Sequence, residues 1–219
     1  IGSMSMALRN LGIDFELVGT SEVDKYAILA YDAIHGNNED IVIPSKEEML
    51  KEFADKNIAY NFSSGKSEIP RGIKDITKLY KAHIRSKNFG DIQKINPEDL
   101  PEMDLYTYSF PCKNISVAGQ MAGLEKGSGT QSSLVWESIR IIEYHKPKYL
   151  LMENVKNLVS DKFMPYFKMI CEELEKLGYN NYWSVMNGKD FNVPQNRERV
   201  MMLSIRKDVD KGVFSMPIG

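Results

Sequence analysis

The chain has 219 residues, 42% apolar and 26% charged, enough to bury a core and better suited to one domain than to two. Its formal charge of −2 offers no general attraction for phosphate, so nucleic-acid binding would need a local basic surface or sequence lying elsewhere. No run approaches the roughly 18 to 20 apolar residues that cross a bilayer, and no basic-then-apolar leader opens the chain, which predicts a soluble protein of the cytosol or nucleus.

Met4, Ala7, Leu8 and Leu11 recur at helical spacing with Gly12 as C-cap, so the chain is expected to open on a helix whose preceding strand is missing. Residues 15–20 (FELVGT) read as a short strand leading to Ser21 and Glu22. A helix through Tyr26, Leu29 and Ile34 follows and stops at Gly36. From 37 to 90 polar residues dominate, and the stretch reads as an insertion. Within it, Ser45-x-x-Glu48 is a capping box ahead of Met49, Leu50 and Phe53, and a second helix covers 73–84 with its lysines on a solvated face. Regular alternation then resumes. A buried strand is expected at 105–110, a helix at about 132–144, and a strand at 149–152 after Pro147. A helix through Phe163, Phe167, Ile170 and Leu174 ends at Gly178, and a last strand covers 200–205. Alternating strands and helices predict a doubly wound, Rossmann-like α/β domain of three layers, whose ligands sit beyond the carboxyl ends of the strands.

That rule makes Glu22, Cys112 and Glu153 neighbours on one rim, since each falls at or just after a strand end. The two cysteines, Cys112 and Cys171, belong to no CxxC or His/Cys set, which argues against zinc and against a disulfide scaffold. Cys171 lies inside an amphipathic helix and reads as a small core hydrophobe. Cys112, where the chain leaves a strand for a loop, suits a nucleophile and a buried hydrophobe about equally. Glu153 is either a partly desolvated carboxylate able to hold a proton or a helix-start glutamate. Arg197 and Arg199 alternate and so face one way in an extended segment, which suits a phosphate or polar ring but also an ordinary salt-bridged strand start. Glu22 stands where nucleoside-binding folds place an acid against ribose hydroxyls, although the glycine part of that signal is incomplete.

Taken together and in order, Ser109-Phe110-Pro111-Cys112-Lys113-Asn114-Ile115-Ser116, Glu153-Asn154-Val155 and Gln195-Asn196-Arg197-Glu198-Arg199 resemble the ordered motifs of the DNA (cytosine-5)-methyltransferases of bacterial and phage restriction-modification systems. The resemblance implies S-adenosylmethionine as cofactor, no metal, and a flipped-out cytosine in duplex DNA as substrate. Cys112 is implied as the nucleophile that adds to carbon 6, Glu153 as the group on ring nitrogen 3 and the amine, and Arg197 and Arg199 as the groups on the base carbonyl. Ile1-Gly2 resembles the tail of the family's cofactor loop. This implies cofactor contacts by Gly2 and Ser3, by Glu22 and Val23 at the ribose, and by Asp91 and Ile92 at the adenine. Ser109, Phe110 and Leu134 are implied to line the same pocket, and Pro111, Ser116, Asn154, Val155 and Gln195 to contact the substrate. Lys113, Ile115 and Gln131 depart from the residues usual in the family, the first two on a loop expected to close over DNA.

The same resemblance implies that the first strand precedes Ile1 and that a target-recognition domain follows Gly219, or resides on a second chain. Residues 1–219 alone are then expected to bind cofactor poorly and to read no sequence. It also implies the cytoplasm of a bacterial or phage-infected cell. Two alternatives stay open: a tRNA cytosine-5 methyltransferase of the same fold, and a non-catalytic cofactor- or nucleic-acid-binding module.

Overall fold

The computed structural model describes residues 2–37, 39–62, 64–111 and 134–219. The chain divides into two compact units, Ile1–Pro101 and Glu102–Gly219.

In the first unit, α1 (Ser3–Asn10) ends as its sequence predicts. Gly12 takes φ 67° and donates to the Arg9 carbonyl while Ile13 donates to Leu8, the paired bonds of a left-handed C-cap. Helix α2 (Lys25–His35) is capped by Asp24, whose carboxylate accepts from the backbone of Tyr26 and Ala27 at 2.7 and 3.0 Å. Helix α3 (Lys46–Asp55) carries the expected reciprocal capping box between Ser45 and Glu48. A hairpin of β1 (Tyr60–Asn61) and β2 (Lys66–Ser67) precedes α4 (Ile73–Arg85). Ile28 of α2, Met49 and Phe53 of α3, and Ile76 and Leu79 of α4 close one apolar cluster with Ile58, so the polar-looking 37–90 stretch supplies most of this unit's core.

The strand expected at 15–20 is absent. Only Thr20 pairs, in a parallel bridge with Asn88. An apolar run becomes a strand only inside a ladder, and residues 14–19 have no backbone partner to form one among the described residues.

The second unit is a four-stranded mixed sheet in the order β3-β4-β6-β5, built from β3 (Leu105–Tyr108), β4 (Tyr149–Val155), β5 (Tyr179–Asn187) and β6 (Glu198–Arg206). β3 and β4 run parallel, while β6 runs antiparallel to both of its neighbours. Helices α5 (Leu134–His145) and α6 (Met164–Lys176) cover one face, where Val135, Ile142, Phe167 and Ile170 meet Leu150, Met152, Val200 and Met202. Pairing with β6 carries β4 through to Val155, so Glu153 sits within the strand, opposite Met201, and not beyond its end. No helix among the described residues is long and apolar enough to cross a membrane.

Candidate active site

On the second unit the sheet brings three of the singled-out residues together. Arg199 lies directly across from Val155, which makes Glu153 its diagonal neighbour on the same face. Arg199 Nε reaches Glu153 Oε1 at 2.9 Å, with both side chains partly shielded from solvent. From the end of β3, Ser109 Oγ donates to Glu153 Oε2 at 3.4 Å. The carboxylate is thus held at both oxygens, each partner coming from a different strand segment.

Asn154 points to the other face. It is 3% exposed, its amide donates to the Phe110 carbonyl at 3.0 Å, and its Oδ1 accepts from Val155. It therefore anchors the segment Phe110-Pro111 to the end of β4. Phe110 is itself buried in the apolar core, whereas Val155 and Gln195 are exposed. Arg197 is exposed and precedes β6. Its backbone is fixed by Asn187, whose Oδ1 accepts from Arg197 N at 3.0 Å and whose Nδ2 donates to Asn196 Oδ1 at 2.7 Å. Sequence reading missed Asn187 because β5 itself was not foreseen. Cys112 and Ser116 lie outside the described residues, and Leu134 is half-buried at the start of α5. Cys171 packs with Sγ 3.7 Å from Met202 Sδ, and burial pushes its thiol up to about 11, as suits an inert core cysteine.

In the first unit, Glu22 and Asp91 approach through the bridge at Thr20. Glu22 Oε1 accepts from the backbone of Val23 and Asp24, both at 2.8 Å, and Oε2 has no partner among the described residues. Burial raises the carboxyl above its ordinary value, partly offset by those two N–H groups. Asp91 is 4% exposed and occupied at both oxygens, by Gln93 N at 3.0 Å and Asn57 Nδ2 at 2.7 Å. Val23 and Ile92 are half-buried beside them. Gly2 takes φ 63° at the start of α1. A Cβ there would collide with His35 and Tyr31, so its bare backbone serves the packing of α1 on α2. Ser3 is exposed. Glu22 belongs to the first unit and Glu153 to the second. Among the described residues no cluster of His, Cys, Asp and Glu is arranged to hold a metal ion.

The profile of the C-5 cytosine-specific DNA methylases matches residues 66–217. The chain belongs to that family. It is 45% identical over 210 residues to the type II methyltransferase M2.ScrFI of Lactococcus lactis subsp. cremoris, covering 93% of this chain and 58% of that protein. It is 35% identical over 221 residues to the orphan methyltransferase M.SssI of Spiroplasma monobiae, covering 93% of this chain and 56% of that one. The chain thus spans little more than half the length of these relatives. Among solved structures, S. pombe Dnmt2 methyltransferase aligns with a TM-score of 0.55 at 18% identity over 98% of this chain and 49% of that chain. The EhMeth methyltransferase of Entamoeba histolytica aligns with a TM-score of 0.51 at 16% identity over 93% and 57%. At such identities the likeness establishes the shared fold, a mixed α/β sheet with flanking helices, and nothing finer.

The Glu153-Asn154-Val155 and Gln195-to-Arg199 segments both lie inside the matched region, and they are the segments that β4 and β6 bring side by side. The salt-bridged strand start, one of the two readings open for these arginines, describes Arg199 as it stands. Arg199 does pair with a carboxylate, and that carboxylate is Glu153.

Proposed function

We propose that the protein containing this chain transfers a methyl group to carbon 5 of cytosine in duplex DNA, with Cys112 as the nucleophile. The observation that carries this reading is the Glu153–Arg199 pair, a carboxylate and a guanidinium fixed side by side on one sheet face and buttressed by Ser109. A base edge presents a nitrogen and an amine beside a carbonyl oxygen, and this pair offers matching groups.

In this reading the target cytosine swings out of the duplex, since carbon 5 is inaccessible while the base is stacked. The Cys112 thiolate forms a bond to carbon 6, and the ring electrons move toward carbon 5. Glu153 bonds ring nitrogen 3 and the exocyclic amine, supplying the proton or hydrogen bond that takes up developing charge, while Arg199 and Arg197 hold the carbonyl oxygen. S-adenosylmethionine, when bound, would supply the electrophilic methyl group, carbon 5 bonding to the methyl as the sulfur–methyl bond breaks and S-adenosylhomocysteine leaves. Loss of the carbon-5 proton to water then expels the thiolate and restores the aromatic ring. Asn154 serves this by tethering the Phe110 carbonyl, two residues before Cys112.

The first unit fits a nucleoside. Glu22 keeps one oxygen on the backbone N–H groups of Val23 and Asp24 and the other without a partner among the described residues, which suits ribose hydroxyls as donors. Asp91 has no wholly free oxygen, so an adenine amine would use a second lone pair on an oxygen already accepting from Gln93 or Asn57. Reading of the DNA sequence is assigned to protein outside residues 1–219, in keeping with relatives of which this chain covers 58% and 56%.

A comparison of tritiated methyl transfer from S-adenosylmethionine to duplex DNA and to tRNA, using the full-length protein, tests the assignment. Incorporation into DNA at cytosine carbon 5 is expected. Incorporation into tRNA alone would replace the substrate, and none into either would remove the function.

A further inference from the structure

Asn88 is 4% exposed, and its side chain makes three hydrogen bonds, all to backbone. Its Oδ1 accepts from Glu22 N at 3.0 Å and from Gly90 N at 3.0 Å, and its Nδ2 donates to the Glu22 carbonyl at 2.9 Å. The orientation of this amide follows from its partners. Two N–H donors face one end and a carbonyl faces the other, so only one assignment of oxygen and nitrogen satisfies all three.

The amide does for Glu22 what a neighbouring strand residue does in a ladder, donating and accepting with one residue's backbone. It is needed because residues 13–19 form no ladder and Thr20 alone bridges to Asn88. Around it, Thr20 N donates to the Lys87 carbonyl at 3.1 Å, Phe89 N to the Thr20 carbonyl at 2.8 Å, and Ser21 Oγ to the Gly90 carbonyl at 2.7 Å. Two acid-bearing corners far apart in sequence, Glu22 and Gly90-Asp91, are therefore locked to each other through one buried carboxamide.

Resting on the reading that Glu22 and Asp91 hold the cofactor's ribose and adenine, we infer that Asn88 is a positioning residue of the cofactor site, setting the spacing between these two acids without touching the ligand. Each acid's carboxylate is then oriented locally, Glu22 by Val23 and Asp24 and Asp91 by Gln93 and Asn57. Asn88 fixes where the two corners stand, and the local bonds fix where each carboxylate points. Loss of the amide frees Glu22 from Gly90 and leaves buried backbone groups unpaired on both segments.

The test uses the full-length protein with S-adenosylhomocysteine and S-adenosylmethionine as probes. Asn88→Ala is expected to raise the Kd for S-adenosylhomocysteine and the KM for S-adenosylmethionine by about 10- to 100-fold. The kcat at saturating cofactor and the KM for DNA should stay within about 2-fold of wild type. Asn88→Asp, which keeps the two acceptor bonds and loses the donor, is expected to fall between. It also carries the comparison if Asn88→Ala is unfolded at the assay temperature by circular dichroism.

In a Glu22→Ala background, Asn88→Ala should raise Kd by a smaller factor than in wild type, because part of what it positions is already gone. Equal factors in the two backgrounds, or a lowered melting temperature with unchanged Kd, would reduce Asn88 to a structural residue and overturn the inference alone. A wild-type protein that binds neither probe would overturn the cofactor reading and this inference together.

Discussion

Arg199 and Glu153 are diagonal partners across an antiparallel strand pair, joined at 2.9 Å between Nε and Oε1. The register that opposes Val155 to Arg199 makes this contact, and a one-residue slip would send the two side chains to opposite faces. A family motif on β4 and another on β6 are thereby converted into one chemical unit. The ion pair sets the position of the Glu153 carboxylate, the group that the proposed function places against a base edge.

Glu153→Gln keeps the shape and the Ser109 contact but removes the charge that the Arg199 guanidinium pairs with. Methyl transfer is expected to fall by about 100- to 1,000-fold, as for removal of one group that stabilises developing charge. Cofactor affinity should barely change. Isothermal titration with S-adenosylhomocysteine alongside single-turnover methylation separates the two, and a parallel loss of cofactor binding would make Glu153 a structural residue. Arg199→Ala removes a pair that is only partly shielded, so its stability cost should be no more than about 1 kcal/mol.

Gly90 takes φ 79°, and a Cβ there would run into the Lys56 backbone carbonyl. Gly12, at φ 67°, has nothing within reach. Both glycine-to-alanine changes pay the left-handed backbone penalty of about 1 kcal/mol, but Gly90→Ala also forces the Asp91 corner off Lys56 and should cost about 2 kcal/mol or more. Urea denaturation of the two variants distinguishes these outcomes. Equal losses would mean that the Gly90 corner yields easily.

Burial raises the Glu22 carboxyl above its ordinary value. Because burial favours its neutral form, the folded protein binds that proton more tightly than the unfolded chain. The stability from this group is fully present below the unfolded value of 4.5 and is lost as pH rises through the folded one. Ribose hydroxyls donate to the ionised form, so cofactor affinity should strengthen as pH rises through the raised value. Glu22→Gln should flatten that dependence. A pH-affinity profile that is identical in wild type and Glu22→Gln would remove Glu22 from the cofactor site.

His83 is fully buried on α4, with Nε2 3.1 Å from Glu52 Oε1, which also takes Lys56 Nζ at 2.7 Å. Burial lowers the imidazole below its ordinary 6.5, and the bond to Glu52 only partly offsets this. Stability from a depressed histidine is present above the unfolded value and is lost as pH falls from there toward the folded one. Melting temperature should therefore begin to drop near pH 6.5 on acidification. In His83→Gln, which keeps a donor toward Glu52 and cannot titrate, the drop should be shallower. Parallel curves for the two proteins would show that other groups govern acid stability.

Much of the fold was legible because its signals are local. The Ser45/Glu48 capping box, Gly12, Gly36 and Gly178 all mark helix ends through bonds a few residues long. β5 was not legible. Asn180, Asn181 and Asn187 dilute its strand character, and its burial does not alternate. It exists by pairing along its whole length with β6, and Asn180 and Tyr182 are further held by Asp210. The opposite failure occurred at 15–20, where strand composition found no ladder. In the candidate site, the motif residues were readable as types, but their partners were not. Nothing near Asn88 or Asn187 in sequence announces that a buried amide will dock on backbone supplied by another segment of the fold.

Covalent trapping tests Cys112 as the nucleophile. Full-length protein is incubated with S-adenosylmethionine and duplex DNA carrying 5-fluorocytosine, whose fluorine cannot leave as the carbon-5 proton does. A denaturant-resistant protein–DNA adduct is expected, with the bond mapped by mass spectrometry to Cys112 and lost in Cys112→Ser. An adduct that persists in Cys112→Ser, or methylation of ordinary cytosine by that variant at the wild-type rate, would contradict the assignment of Cys112 as the nucleophile.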